Sequence, residues 1–232
     1  MAGLGFPTTH WTLIVRAQGD EAEKRQALDE IASNYRQPLV RYARARGLDT
    51  GRAEDLVQSL FLSLLSKDFV SRLDPARGRL RGFLKAALDH ELLHELEREN
   101  AQRRGGAVAI DAIEDLQASD EPEGGVRPDE VYEREWARAV AARAIEALRV
   151  ESQKGALRDR WPVIERFLSD QTPMRYEDAA RLAGITIAQF KVTLHRARRR
   201  FEELLRAEVT VTVENPAEVR DEEIALKASL AA

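Results

Sequence analysis

A chain of 232 residues with 33% charged and 6% aromatic side chains holds one large domain or two small ones, and its A/E/L/R-rich segments predict an all-helical fold. A formal net charge of −4 excludes a uniformly basic nucleic-acid coat, and the absence of cysteine excludes disulfides, Cys-based metal sites and thiol catalysis. No apolar run reaches the ~18 residues of a membrane span, and the N-terminus has no signal-peptide pattern; the expectation is a soluble, cytoplasmic protein with no membrane partner and no cofactor.

Residues 1–19 read as an N-terminal extension, and the FPTTHW within it suggests no physical role. A first helix is predicted over 21–46, with Leu28, Ile31, Tyr35, Leu39 and Tyr42 on one face. Pro38 should kink it, because proline deletes a backbone hydrogen bond. A second helix, over 51–66, has too little polar surface. Leu56, Leu60 and Leu64 form one stripe, whereas Asp55, Gln58, Leu62 and Leu65 share the opposite side and Phe61 lies outside the stripe. A helix apolar nearly all round is either central to a core or docks a partner. The mixed Asp55/Gln58/Leu62 surface favours a partner helix.

The connection KDFVSRLDPARGR, 67–79, is long and basic, with Lys67, Arg72, Arg77 and Arg79. Arg81, Phe83 and Lys85 follow at the start of a third helix predicted over 79–104. Cations interleaved with an aromatic suit single-stranded or distorted nucleic acid, where phosphates need cations and unstacked bases need a π-face. For the Phe83 ring itself, packing beside Leu80 and Leu84 is the competing reading. The same helix carries HELLH at 90–94, which satisfies the H-E-x-x-H spacing of a zinc hydrolase. No third ligand is suggested downstream, and Glu/Leu-rich helices produce such matches by chance. A metal hydrolase is therefore kept as an alternative, and no metal is expected.

Residues 105–131 hold two Gly pairs, two prolines and eight acids against one Arg, the composition of a flexible acidic connector. Helices are predicted after it over 131–150 and 157–169. A short helix over 176–183 then stops at Gly184, the residue that most cheaply turns left-handed, and Thr186 caps the next helix. Phe190, Leu194, Ala197, Phe201 and Leu204 make an apolar stripe along it. Ala188, Val192, His195 and Arg199 point away from that stripe, with Lys191 and Arg196 on its flanks and Gln189 near the helix start. Residues 181–201 carry six Lys or Arg, one His and no acid. A solvated surface helix would mix signs for i,i+4 pairing. A helix, a glycine turn and a second helix with an apolar back and a basic front describe a helix-turn-helix DNA reader. The one strand-like pattern is VTVTV at 209–213, and 207–232 reads as an acidic tail.

The order RQPLVRYARARG, AEDLVQSLFLSLL, RGFLKAALDHELLHELER, acidic connector and helix-turn-helix resembles bacterial RNA polymerase sigma factors of the sigma-70 family, extracytoplasmic-function (ECF) type. The resemblance covers 20–104 as region 2 and about 150–206 as region 4. It implies two small helical domains, 20–104 and 131–206, joined by the flexible acidic linker 105–130 and followed by the tail 207–232. Core RNA polymerase and promoter DNA are the implied partners of a protein that is not itself an enzyme. By the same resemblance Asp55, Gln58, Phe61 and Leu62 dock on the polymerase. Lys67, Arg72, Arg77, Arg79, Arg81, Phe83 and Lys85 meet the melted promoter element. Thr186, Ala188, Gln189, Lys191, Val192, His195, Arg196 and Arg199 read the upstream element. Leu84 replaces the family's usual tryptophan and Asp89-His90 its Arg-Asn pair, which implies an altered promoter preference. Control by an anti-sigma protein, a kinase or the acidic tail stays open. So does a helix-turn-helix regulator that acts without polymerase docking, although no heptad seam for a dimer is visible.

Overall fold

The structure is a computed structural model of the chain and describes residues 10–17, 19–64, 79–104, 126–155, 157–169, 174–213 and 215–231. The connector over 105–125 and the expectations placed on Lys67, Arg72 and Arg77 lie outside these residues. The described residues are all-α, helices joined by turns and two 3-10 segments, with no strand among them. Contacts divide the chain into two compact units, Met1–Ala139 with Thr210–Ala232, and Val140–Val209.

The first unit is built on α2 (Glu21–Ala45), which packs against α1 (His10–Arg16), α3 (Thr50–Ser63) and α4 (Leu80–Arg104). Side-chain caps start two of these helices: Asp20 accepts from the amides of Ala22 and Glu23 at 2.9 Å, and Asp49 accepts from that of Arg52 at 3.1 Å. Gly47, at φ 96°, ends α2 in a conformation that a side chain would strain. Pro38 lies inside α2, buried, and the helix continues through it. Ile31, Tyr35, Leu39 and Tyr42 are buried as the helical spacing predicts, while Leu28 is only half-buried and Ala27 takes the core position. The stripes Leu56/Leu60/Leu64 on α3 and Leu80/Leu84/Leu88/Leu92 on α4 are buried too.

Two segments outside the sequence-derived domain complete this unit. On α1, Leu13 and Ile14 are buried, His10 Nδ1 lies 2.6 Å from the Tyr35 hydroxyl, and the Trp11 ring meets Phe83 at 5.5 Å. The final stretch is also structured: Val209 and Thr210 end a helix, residues 211–212 turn, and α9 (Val219–Ala231) follows a 3-10 turn capped by the Asn215 side chain. Its buried residues are Val219, Glu222 and Leu226, spaced by three and four, as for one helix face. The Val211 carbonyl accepts from the His10 amide at 2.8 Å. From α5 (Pro128–Ser152), Tyr132 and Trp136 are fully buried aromatics of this first unit.

In the second unit α6 (Trp161–Leu168), α7 (Tyr176–Leu182) and α8 (Ile187–Thr210) enclose Leu148, Trp161, Ile164, Phe190, Leu194 and Ala197. The turn between α7 and α8 forms as predicted. Gly184 sits at φ 65°, and the amides of Gly184 and Ile185 return to the carbonyls of Arg181 and Ala180 at 3.2 and 3.0 Å.

Candidate nucleic-acid interface

On α8 the apolar back is packed, so the opposite face is presented by default. Thr186, Ala188, Gln189, Lys191, Val192, His195, Arg196 and Arg199 are all exposed. They are not equivalent. Gln189 Oε1 accepts from the Thr186 amide at 3.0 Å and from its hydroxyl at 3.2 Å, while Thr186 Oγ1 accepts from the Gln189 amide at 3.2 Å. This reciprocal capping box satisfies two of the helix's orphan donors and keeps the Gln189 amide at the helix start. Lys191 Nζ lies 5.8 Å from the Tyr176 ring centroid, and Arg199 Nε is 3.6 Å from Glu203. Arg196, with no acidic partner among the described residues, borders an open hollow of about 370 Å³ together with Arg160, Ala188 and Val192. Val192 is 51% exposed there, an apolar side chain in the middle of a basic face.

Two cations counted in the sequence serve the unit itself. Arg200 binds Glu151 at 2.7 Å and Glu203 at 2.8 Å, and these hydrogen bonds raise its pKa further. Arg198 donates to the Phe167 carbonyl at 3.4 Å. The exposed basic face without such partners is thus narrower than the run of charge suggests.

The second surface is on α3. Packing Leu56, Val57, Leu60 and Leu64 inward leaves Asp55 and Gln58 exposed, Phe61 half-buried and Leu62 61% exposed. Leu62 is thus a bare apolar side chain on the same helix face as the exposed Asp55 and Gln58.

The third lies at the start of α4. Arg79 Nη1 is 2.6 Å from Glu222 Oε2, and Arg81 Nη2 is 3.0 Å from the same oxygen. Arg81 also pairs with Glu133 and lies 4.1 Å over the Trp136 ring centroid, and its carbonyl accepts from the Tyr132 hydroxyl at 2.9 Å. Burial lowers the Arg81 pKa and Arg79 adds to that, while Glu222 opposes it. Lys85 reaches Asp129 at 2.9 Å and Asp89 at 3.3 Å. Burial depresses the Lys85 ammonium, but its hydrogen bond to Asp129 and the charge of Asp89 outweigh that and raise it. Asp89 accepts from the Tyr42 hydroxyl at 2.6 Å, and burial together with that bond holds the phenol above its usual range. Phe83 is half-buried against Trp11.

Glu222, Glu133 and Asp129 were not singled out by the sequence. The available signal was complementarity: a basic stretch at 67–85 and acids at 105–131 and 207–232 within one chain. The HELLH histidines touch each other, Nε2 to Nε2 at 3.2 Å, and His94 Nδ1 lies 3.3 Å from Glu97. Among the described residues no group of three or more His, Cys, Asp or Glu could hold a metal ion.

The first unit is all-α among the described residues, and its helix α3 presents Asp55, Gln58 and Leu62 ahead of α4 with its basic start. Residues 31–102 match the family model Sigma-70 region 2. That segment is therefore similar to Sigma-70 region 2, which supports a sigma-factor role in RNA polymerase-directed transcription. No curated protein and no solved structure matches the chain. No helix among the described residues is long and apolar enough to cross a membrane.

Proposed function

We propose that the chain is an ECF-type sigma factor that binds core RNA polymerase in the cytoplasm and directs it to promoters. The observation that carries this reading is the exposed Asp55/Gln58/Leu62 side of α3 within the matched residues 31–102. Leu62 serves as the anchor in a groove of the polymerase, and Asp55 and Gln58 fix its register. The Ala188/Lys191/Val192/Arg196 face of α8 enters the major groove of the upstream element as the second helix of a helix-turn-helix. His195 and Arg199 lie further along the same face and meet backbone phosphates. The cations Arg79, Arg81 and Lys85, with Lys67, Arg72 and Arg77 before them, follow the phosphates of the melted strand.

The test is reconstitution with core polymerase on a genomic library, with transcript starts mapped. A sigma factor yields starts that share upstream and melted elements and that vanish without the chain. DNA binding to a symmetric operator that is indifferent to polymerase would establish the helix-turn-helix regulator instead.

A further inference from the structure

At the start of α4, the cations marked for a melted strand already hold carboxylates. One oxygen, Oε2 of Glu222, sits between Arg79 at 2.6 Å and Arg81 at 3.0 Å. An anionic oxygen between guanidiniums makes the same kind of charge-assisted hydrogen bonds that a phosphate oxygen would. Arg81 also pairs with Glu133, and Lys85 with Asp129. All these contacts lie within the first unit.

The Glu222 contact is a poor way to build stability. Its side chain is 0% exposed, yet Oε1 has no hydrogen-bond partner among the described residues, and neither has Arg81 Nε. Buried charges with unpaired atoms cost stability that a well-packed apolar residue would not. Val219 and Leu226 already bury the apolar face of α9, so docking the helix does not require a carboxylate between them. A charge there serves the arginines, and its imperfect pairing leaves it open to exchange with a better ligand.

We propose that α9 is an intramolecular competitor of the melted promoter strand, with Glu222 standing in for a phosphate between Arg79 and Arg81. The free chain masks its own strand-binding cations, and strand and α9 exclude each other. This rests on the reading of the α4 start given under the proposed function.

The experiment uses the full chain and a fluorescently labelled single-stranded oligonucleotide of about 12 nucleotides, within the span such grooves cover. Glu222→Gln keeps the shape and removes the charge. It should tighten strand binding on the order of tenfold and steepen the salt dependence by about 0.7 to 1.4, because each arginine released adds about 0.7 on single strands and Arg81 keeps its pair with Glu133. Arg81→Ala in the Glu222→Gln background should abolish that gain. In the unaltered chain, amides of 219–231 should exchange faster when the oligonucleotide saturates it. A folded Glu222→Gln variant with unchanged affinity and slope overturns the proposal and leaves the cluster a structural staple. If that variant does not fold, amide exchange decides: unchanged protection of 219–231 with the strand bound overturns it, and faster exchange sustains it. Co-elution of the unaltered chain with core polymerase is measured in parallel. Its failure sinks the sigma-factor reading, whereas its success beside a null Glu222→Gln result sinks only the competitor.

Discussion

Residues on one helix face separate by what already holds them. Gln189 and Arg196 are both exposed on α8, but Gln189 closes the Thr186 capping box and Arg196 faces open solvent beside Val192. Gln189→Ala is expected to cost about 1 kcal/mol of stability in the second unit through the lost cap, measured by chemical unfolding, with promoter preference unchanged. Arg196→Ala is expected to cost about 1–3 kcal/mol of DNA affinity and to relax discrimination at one position of a randomised upstream element, with stability unchanged. A swap of these two outcomes would return Gln189 to the reading set and leave Arg196 solvated. The exposed face was legible from the 3.6-residue period alone. The division of labour within it was not, because Thr186-x-x-Gln189 serves equally as a cap and as a pair of groove contacts. The Glu151 partner of Arg200 and the Phe167 partner of Arg198 likewise come from elements distant in sequence.

Elements follow the same logic at longer range. The stripe on α3 sets inside and outside together: with Leu56, Leu60 and Leu64 packed, Asp55 and Leu62 cannot be core. Asp55→Arg should therefore leave helical content by circular dichroism intact and weaken co-purification with core polymerase, since a reversed charge beside an apolar anchor disrupts an interface more than a rim contact does. Retained co-purification would take α3 out of that interface, and lost helicity would put Asp55 in the fold. The α1 helix shows what period alone misses. Seven residues are too few for a convincing repeat, yet Trp11 is 5% exposed, against Phe83. Trp11→Ala should destabilise the first unit by about 3–5 kcal/mol, as large aromatic truncations in cores do, read as a lowered denaturant midpoint at constant m-value. A change under 1 kcal/mol would mean that α1 is only laid on the surface.

At the scale of the molecule, sequence neighbours and unit members differ. Composition marks 105–131 as a connector between two domains, but the first unit recruits Tyr132 and Trp136 beyond it and α9 from the far end of the chain. Helix type and core periodicity are local properties and were legible. Which segment returns to which is set by long-range complementarity: Glu222 with Arg79 and Arg81, Tyr132 with the Arg81 carbonyl, and Asp129 with Lys85. None of these has a local signature. The consequence can be tested by introducing a specific protease site between residues 105 and 125 and cleaving the purified chain. The two pieces should stay together on gel filtration, because separating them would expose two fully buried aromatics and strand Arg81 without its carboxylates. Raising salt to about 1 M should loosen the pair only slightly, since screening reaches exposed charges far better than buried ones. Pieces that part at once in low salt would mean that the first unit ends near residue 104, and that the contacts made by α5 and α9 contribute little to holding it.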